Sequence, residues 1–379
     1  MPSPSPYQVL AQNIETWAQE LGFQQVGICE ADVSQQTEHL QKWLDNNFHG
    51  TMNWMAENQD LRQQPDKLVP ETTHVISVRM NYLPEQTQPI RTLKSPEKAY
   101  IARYALGRDY HKLMRKRLAK LADQIRVFCE QHKLHAPLHQ RPFVDSAPVL
   151  ERPLAEKAGL GWVGKHTLLI NRDAGSWFFL GEIYTNLPLE NLATPSKNEC
   201  GDCDACLKVC PTDAFPSPYV LDARRCIAYL TIENKGAIPE EFREPIGNRV
   251  FGCDDCQSIC PWNKQAQTTN EDDFTPRHNM DSSDLLQLFL WSEQEFLDRT
   301  AGSAIRRIGY QNWLRNLAIG LGNAPSSNDI VTALQEKKQS ANALVSEHID
   351  WALTQQAKLK RHRKRKIKNL SKNTSIQAE

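Results

Sequence analysis

The chain has 379 residues, 45 of them basic and 45 acidic, a length that allows two or three domains with separate cores. The even balance excludes a uniformly basic nucleic-acid binder, and no apolar run approaches the roughly 20 residues that span a bilayer. The first residues, MPSPSPYQVL, have no charged segment followed by an apolar one, so we expect no secretory signal, no membrane contact and a cytoplasmic location.

The positive charge is concentrated near the C-terminus. Residues 358–368 contain eight Lys or Arg and no acid, which leaves 37 basic against 45 acidic residues, a net of −8, in the rest of the chain. An acidic body with a basic tail is typical of an appendage that contacts a polyanion. We expect residues 354–379 to be a disordered basic tail, which either contacts such a partner or only improves solubility.

Helices and strands alternate over the first half of the chain. Apolar residues at helical spacing predict one helix over residues 7–21, which Gly22 would end, and another over residues 113–129. Apolar runs that predict buried strands lie at residues 23–31, 74–83, 166–171 and 176–185. This alternation predicts an α/β domain over residues 1–190.

The pattern changes twice further along the chain. Residues 188–199, PLENLATPSKNE, are typical of a linker, and cysteines then crowd into residues 200–260. Beyond residue 281 only helical patterns recur, with Gly-Asn stops, which suggests a short HEAT-like solenoid. We therefore predict a multidomain α+β and α/β protein, with a ferredoxin-like two-cluster domain over residues 191–265 and a helical domain over residues 280–353.

Two cysteine runs indicate cubic iron–sulfur clusters. The first, C-x2-C-x2-C-x3-C-P, has the bacterial ferredoxin spacing, in which three thiolates surround one cluster and the fourth ligates another. The second run lacks its first member, because that position is Val250. One ligand must therefore come from elsewhere in the chain.

Three cysteines lie outside the runs. Cys29 falls in a predicted strand and Cys129 on the apolar stripe of a predicted helix, so both are expected in the core. Cys226, between the runs, is the candidate for the missing ligand. The predicted ligand sets are Cys200, Cys203, Cys206 and Cys260 for one [4Fe-4S] cluster, and Cys210, Cys226, Cys253 and Cys256 for the other. Structural zinc is the alternative, but zinc usually takes paired C-x2-C knuckles.

Four blocks of sequence carry a resemblance to a known family. They are RYALGRDYHKLMRKRL at residues 103–118, VDSAPVLERPLAEKAGLGWVGKHTLLI at 144–170, FGCDDCQSICPWN at 251–263 and GSAIRRIGYQNWLRNLAIGLGN at 302–323. In order and spacing, from about residue 7 to 353, the chain closely resembles the epoxyqueuosine reductase family. The resemblance implies an enzyme that completes queuosine at the wobble position of tRNA, using a corrinoid, cobalamin, bound between the N-terminal and cluster domains and reduced by the clusters.

The resemblance also implies a proton donor, Asp145, in the first residues of the second block. Such an acid must be protonated near pH 7, so we expect burial beside the corrin to raise the pKa of Asp145. From the residues alone, Asp145 could equally be a turn or cap residue before Ser146 and Pro148.

Further cofactor contacts are implied by the same resemblance. Besides Asp145, they are Arg62, Arg103, Tyr104, Lys165, His166, Thr167, Thr231 and Asp254. His111 belongs to the block expected to line the same cleft, and Gly161 and Gly164 form a Gly-rich turn that would let a bulky ring approach the main chain. The alternatives are a surface cation for Arg62, a capping residue for His111 and a simple chain reversal for the turn.

The expected partners are tRNA and an external electron donor whose identity the sequence does not give. Arg306, Arg307 and Arg315 are the candidate RNA contacts, because a helical solenoid exposes an extended face on which cations can neutralise phosphates. Ordinary solvated charges are the alternative. A monomer is expected, since no oligomerisation motif is evident.

Three other functions remain as alternatives. A reductive dehalogenase would share the corrinoid and the clusters, but the missing export signal and the helical domain argue against it. An electron-transfer module would hold clusters without a corrinoid, yet most of the chain lies outside the cluster segment. An RNA-binding protein with structural zinc would hold neither iron nor corrinoid.

Overall fold

The structure is a computed structural model that describes residues 4–85, 87–134, 136–190 and 196–376. The chain forms two compact units built from interleaved segments. The first unit comprises Met1–Glu85, Asp109–Arg224 and Asp254–Thr275, and the second comprises Gln86–Arg108, Arg225–Cys253 and Pro276–Glu379. The limits of these units differ from the predicted boundaries at residues 190, 265 and 280. The boundaries were predicted from changes in composition along the chain, whereas the units are defined by contacts between segments that are distant in sequence.

Helices and strands are mixed in the described residues, which confirms the predicted fold class in its coarse form. The strands are β1 (Gln25–Glu30), β2 (His74–Asn81), β3 (Tyr100–Ile101), β4 (Gln140–Phe143), β5 (Trp162–Val163), β6 (Leu169–Ile170), β7 (Phe178–Thr185) and β8 (Arg249–Phe251). The α-helices are α1 (Pro6–Glu20), α2 (Ser34–Asp45), α3 (Trp54–Glu57), α4 (Gln59–Gln63), α5 (Pro65–Leu68), α6 (Pro89–Lys94), α7 (Tyr110–Gln131), α8 (Glu151–Lys157), α9 (Ala205–Lys208), α10 (Ile227–Ile232), α11 (Glu240–Ile246), α12 (Asp255–Ser258), α13 (Leu285–Phe289), α14 (Glu293–Arg299), α15 (Gly309–Asn323), α16 (Asn328–Lys338) and α17 (Ala343–Ile376).

A four-stranded antiparallel sheet forms the centre of the first unit, in the order β1-β2-β7-β4. The central strands β2 and β7 are almost entirely buried, which explains why both appear in the sequence as continuous apolar runs. The predicted strands at residues 23–31, 74–83 and 176–185 are confirmed. The run at residues 166–171 was predicted as one strand, but only its end is extended, as β6, because a turn occupies its first residues.

Helices cover both faces of this sheet. On one face lie α1 and α7, which confirm the predicted helices at residues 7–21 and 113–129. At Gly181 of β7, an added Cβ would lie only 2.8 Å from the Cδ1 atom of Leu118 on α7. On the other face lies α8, and an added Cβ at Gly27 of β1 would lie 1.9 Å from the main-chain oxygen of Ala158. Glycine at these two positions is what allows the helices to approach so closely.

The core of the first unit contains the two cysteines predicted to be structural. Cys29 on β1 is 1% exposed and Cys129 on α7 is 2% exposed. The thiol of Cys29 donates to the main-chain oxygen of Leu154 on α8, at 3.4 Å. Burial raises the pKa of Cys29 to about 12, as expected for an inert core thiol.

The second unit is mainly helical, and α15 lies at its centre. This helix packs against α13, α17 and β8, and most of its residues are buried. The helical pattern predicted beyond residue 281 is therefore confirmed, while its description as a HEAT-like domain stays a prediction.

The basic C-terminal segment was expected to be disordered, and this prediction is wrong for the described residues. The last helix, α17, has 34 residues and continues as far as Ile376. Its sequence contains no Gly or Pro, and Lys, Arg, Gln, Leu and Ala are good helix formers. Helix propensity therefore outweighs the charge run, which alone suggested disorder. Among the described residues, no helix combines the length and the apolar character needed to cross a bilayer.

The contact at Gly27 gives a prediction about stability. We expect Gly27→Ala to lower the free energy of unfolding by about 1–3 kcal/mol, because the new methyl group would overlap a main-chain oxygen and force α8 away from the sheet. Thermal unfolding would measure this. Gly236→Ala is the matched control, since its Cβ would meet only Asn234, at an ordinary 3.6 Å. Equal effects of the two substitutions would contradict the close packing of α8.

Candidate active site

Asp145 lies just after β4, in a segment held by two helices. Its carboxylate oxygen Oδ2 accepts a hydrogen bond from the hydroxyl of Tyr110, at 2.7 Å, and lies 3.1 Å from Nε2 of His111. Both partners come from the first turn of α7. The Asp145 side chain remains 53% exposed.

His111 is itself fixed by a second carboxylate. Asp109 caps the start of α7 by accepting from the main-chain N–H of His111, at 3.1 Å, and its Oδ1 lies 2.7 Å from Nδ1 of the same residue. Since a carboxylate can only accept there, the network assigns a proton to Nδ1. The imidazole ring is 7% exposed and stacks beside Tyr110, with ring centroids 4.2 Å apart. The bond from Nδ1–H to Asp109 therefore fixes the orientation of the His111 ring and leaves Nε2 facing Asp145.

Two further carboxyl groups lie beneath Asp145. Glu151, the first residue of α8, accepts the main-chain N–H of Asp145 with Oε1, at 2.6 Å. Glu182 projects from the centre of β7 towards the same helix and has no exposed surface. Burial and the charge of Asp145 raise the pKa of Glu151 to about 8. Burial, followed by the charges of Glu151 and Asp145, raises the pKa of Glu182 well above 4.5.

Glu182 is the least satisfied polar group of this cluster. Both of its carboxyl oxygens are buried without a hydrogen-bond partner among the described residues. Ser77 on β2 pairs with Glu182, and its hydroxyl is also buried without a hydrogen-bond partner among the described residues. An ionised carboxylate in such surroundings is costly, so the neutral acid is favoured.

The expected pKa of Asp145 stays a prediction. Its side chain is half exposed in the protein alone, so the burial on which that prediction depends would have to come from the corrin itself. Glu151 and Glu182, whose own pKa values are raised, lie nearby.

The first predicted cluster site fits an iron–sulfur cluster. Burial and the charges of Cys260, Cys200 and Cys203 raise the pKa of Cys206 to about 11, and Cys200 and Cys260 pack in one apolar cluster. Trp162 and Trp262 pack around them and form an apolar shell. Four neighbouring thiols are the donor set that a [4Fe-4S] cluster needs, and iron would hold them as thiolates. The ligand set of the second cluster stays a prediction.

The Gly-rich turn is tied to the loop of the first cluster. The ammonium group of Lys165 donates to the main-chain oxygens of Gly201 and Cys203, at 2.6 and 3.0 Å. On the other side, the guanidinium of Arg152 on α8 donates to the main-chain oxygen of Thr167, whose φ of +70° lies in the left-handed region. Lys165 therefore connects the turn to the cluster loop; its predicted contact with the corrinoid stays a prediction.

His166, in the same turn, has the property expected of a cofactor contact. It is 2% exposed, its Nδ1 accepts the N–H of Leu168 at 3.2 Å, and its Nε2 is buried without a partner among the described residues. Burial lowers the pKa of His166 to about 4, so Nε2 carries the proton of a neutral ring. The amide side chains of a corrinoid are acceptors for such a donor, so the turn fits the cofactor.

The remaining predicted cofactor contacts are largely buried. The guanidinium of Arg62 donates to the main-chain oxygens of Trp54 and Asn58, and so closes the end of α3. Arg103 is 8% exposed, and the ring of Tyr104 lies 6.1 Å from that of Phe251. Their contact with a corrinoid stays a prediction, as does that of Asp254, which is 3% exposed.

The structure contradicts the contact predicted for Thr231. This residue is 0% exposed, and its hydroxyl donates to the main-chain oxygen of Ile227 and accepts the N–H of Gly252. Both functions of the hydroxyl are thus used within the protein. Thr231 fixes the chain before the second cysteine run and has no surface to offer a corrin ring.

The predicted RNA contacts divide into two groups. Arg306 and Arg307 are exposed in a short 3-10 helix before α15, where RNA could reach them. Arg315, in contrast, is 0% exposed, and its guanidinium donates to the main-chain oxygens of Leu230, Asn234 and Gly236. The prediction that Arg315 binds RNA is therefore wrong: α15 is buried on all sides, and the arginine satisfies carbonyl groups of the segment around it.

Three residues of this site, Tyr110, Glu151 and Glu182, were not predicted from the sequence. A signal existed for Glu182, because it is the lone charged residue in an apolar run that predicts a buried strand. Glu151 gave none, since its distance from Asp145 depends on how α8 packs against the sheet.

The buried carboxyl group of Glu182 makes stability depend on pH. Its pKa is raised in the folded state, so the folded protein keeps a proton that the unfolded chain loses above about 4.5. The resulting stability is present at low pH and is lost as the pH rises. Glu182→Gln cannot ionise, so its free energy of unfolding should not fall in this way. Between pH 5 and pH 8, we expect the difference in free energy of unfolding between Glu182→Gln and the wild-type protein to increase in favour of the variant by up to ~1.4 kcal/mol per pH unit. Thermal unfolding across this range would measure it, and a difference that does not change with pH would contradict it.

The chain is similar to known proteins along most of its length. Residues 199–263 match the family described as a 4Fe-4S double cluster binding domain, and residues 62–146 match epoxyqueuosine reductase QueG, DUF1730. The epoxyqueuosine reductase of Salmonella typhimurium is 57% identical over 356 residues, which are 94% of this chain and 91% of that protein. A crystal structure of epoxyqueuosine reductase with an epoxyqueuosine-modified tRNA-Tyr stem loop is 26% identical, with a TM-score of 0.82 over 93% of this chain and 91% of that one. The same values hold for the Bacillus subtilis enzyme with its catalytic aspartate loop swung out of the active site. The chain belongs to the epoxyqueuosine reductase family, cobalamin-dependent oxidoreductases with two [4Fe-4S] clusters, as its motifs predict.

Proposed function

We propose that this protein reduces epoxyqueuosine to queuosine at the wobble position of tRNA, with Asp145 as the proton donor. Family membership supports the reaction, and the setting of Asp145 supports its role: one oxygen is held by Tyr110 and His111 while the side chain stays half exposed. We place the reaction in the cytoplasm and expect a monomer that takes electrons from an external donor.

The reaction needs protons as well as electrons. Removing the oxygen of an epoxide to leave a carbon–carbon double bond consumes two electrons and two protons, and the oxygen departs as water. When bound, the cobalamin supplies a strongly reducing metal centre that the two clusters can recharge one electron at a time. The protein itself must bind the substrate, exclude water and deliver a proton to the departing oxygen.

The row of residues behind Asp145 suits that delivery. Nδ1–H of His111 donates to Asp109, so Nε2 of His111 either accepts a hydrogen bond from a protonated Asp145 or, in the protonated ring, donates one to Asp145. In both cases one proton lies between His111 and Asp145. Tyr110 donates to the same carboxyl oxygen and would stabilise the carboxylate left behind after transfer. Asp145 can thus give up a proton at its exposed side and regain one from behind.

We assign the cofactors to the following residues. Cys200, Cys203, Cys206 and Cys260 would ligate one cluster, while Cys210, Cys226, Cys253 and Cys256 would ligate the other. His166 would donate its buried Nε2–H to the corrinoid. The contacts of Arg62, Arg103, Tyr104, Lys165, Thr167 and Asp254 with the corrinoid remain part of this proposal.

An anaerobic assay tests the reaction and the acid together. Protein with reconstituted clusters, cobalamin and a strong reductant is incubated with tRNA that carries epoxyqueuosine, and the nucleosides are measured by mass spectrometry. We expect conversion that requires cobalamin and that falls by about 10²–10⁴-fold in Asp145→Asn. Asp123→Asn on α7 is the control, because Asp123 only pairs with Arg126 at the surface.

Two outcomes would contradict the proposal. No conversion by protein that holds both clusters and cobalamin would exclude the tRNA reaction and favour a small halogenated substrate. An unchanged rate in Asp145→Asn would exclude Asp145 as the acid and leave the reaction itself intact.

For the tRNA, we propose that Arg306 and Arg307 contact phosphates. Replacing both by Ala should weaken binding and reduce the slope of log affinity against log salt by about one for each arginine. Each arginine that contacts a phosphate displaces a counterion from the RNA, so removing it reduces the number of counterions released on binding. Binding titrations at several salt concentrations measure this slope. Arg126→Ala provides an exposed control in the other unit, and an unchanged slope in the double variant would rule out these contacts.

A further inference from the structure

The main chain at Asp145 has an unusual conformation. Its φ is +51°, in the left-handed region that residues with a side chain rarely adopt. The neighbouring N–H of Ser146 donates to the main-chain oxygen of Val144, at 2.5 Å, so the chain turns sharply here. A segment in this conformation persists only when its surroundings hold it.

The surroundings hold Asp145 from two directions. Tyr110 and His111, both on α7, bind the side chain, whereas Glu151 on α8 binds the main chain by accepting its N–H at 2.6 Å. Side-chain contacts alone would let the main chain rotate about them. The bond to Glu151 removes that freedom, because it fixes the peptide group from which the side chain projects.

Glu151 stands on a rigid base. The next residues of α8 that face the sheet, Leu154 and Ala155, have no exposed surface, and neither has Ala158 beyond the end of the helix. Gly27 of β1 lies directly against Ala158. The carboxyl group of Glu151 therefore has a fixed position relative to the sheet from which the Asp145 segment emerges.

We propose that Glu151 is a positioning residue, whose carboxyl oxygen holds the main chain of Asp145 so that the catalytic carboxyl group meets Tyr110, His111 and the substrate. This inference rests on the proposed role of Asp145 as the acid. It assigns to Glu151 a hydrogen bond, and no proton transfer.

The charge of Glu151 is not what this role requires. Burial raises its pKa most and the charge of Asp145 raises it further, whereas the charges of Arg152 and His111 lower it. Protonated or ionised, a carboxyl group keeps an oxygen that can accept the N–H of Asp145. Glutamine has an oxygen at the same place, so Glu151→Gln should preserve the function that Glu151→Ala removes.

The chain offers a matched control at the other end of β4. There the side-chain oxygen of Asn186 accepts the main-chain N–H of His139 at 2.9 Å, just before the strand begins. Asn186→Ala therefore removes the same type of bond next to the same strand, at the end away from Asp145, together with the bond from Nδ2 of Asn186 to the main-chain oxygen of Pro137. Any loss of activity that comes from a loosened strand alone should appear in both alanine variants.

The test compares Glu151→Ala, Glu151→Gln and Asn186→Ala as holoenzymes. We expect Glu151→Ala to lower kcat by roughly 10–100-fold with little change in KM for the tRNA, since misplacing a catalytic group acts on the chemical step. Glu151→Gln and Asn186→Ala should keep most of the natural kcat. Hydrogen exchange of the peptide that covers residues 144–150 provides a second measurement, which should speed up only in Glu151→Ala.

Three results would overturn the positioning role. The first is a wild-type kcat in Glu151→Ala. The second is an equal loss of kcat in Glu151→Gln, which would indicate that the charge or the proton of Glu151 matters instead. The third is an equal loss of kcat in Asn186→Ala. A natural protein that fails to convert epoxyqueuosine would refute the proposed function. In that case unchanged exchange in Glu151→Ala would still overturn the proposed bond.

Discussion

The close packing of α8 against the four-stranded sheet is the contact on which the acidic site depends. Because Gly27 of β1 has no side chain, the main chain at Ala158, directly after α8, occupies the space that a side chain would fill. From that position, Glu151 at the start of α8 reaches the main chain of Asp145, and Arg152 reaches the Gly-rich turn at Thr167. A helix of seven residues thus connects the acid to the turn, and Lys165 connects the turn to the loop of the first cluster.

The same packing brings like charges together. The charge of Asp145 opposes the ionisation of Glu151 and of Glu182, the charge of Glu151 also opposes that of Glu182, and Glu182 is buried away from water. Such an arrangement reduces stability at neutral pH, since a neutral side chain at the position of Glu182 would avoid the desolvation of a carboxylate. Carboxyl groups whose pKa values lie above the ordinary range beside an acid that must be protonated are typical of sites that handle protons.

The sequence was sufficient for what short stretches determine. The cysteine spacing predicts the double cluster, and the apolar runs predict β1, β2 and β7 because buried strands need apolar side chains on both faces. Two residues were misassigned for one physical reason. Arg315 and Thr231 have polar side chains that suggest exposure or ligand binding, yet both are buried and satisfy main-chain groups of their own unit. Hydrogen bonds between distant segments cannot be inferred from composition. For the same reason, the bond between Glu151 and the main chain of Asp145 was not predicted.

The order of the strands has a consequence for synthesis. In the sheet, β7 lies between β2 and β4, so β2 cannot complete its pairing with β7 until the chain has been synthesised as far as Thr185. Before that point, β1 and β2 can pair only with each other, and the edge of β2 that later binds β7 is open. Pairings between such distant segments form slowly, and an open strand edge invites association with other chains. The ribosome-bound chain is therefore most vulnerable to aggregation after β2 has emerged and before β7 has closed the sheet.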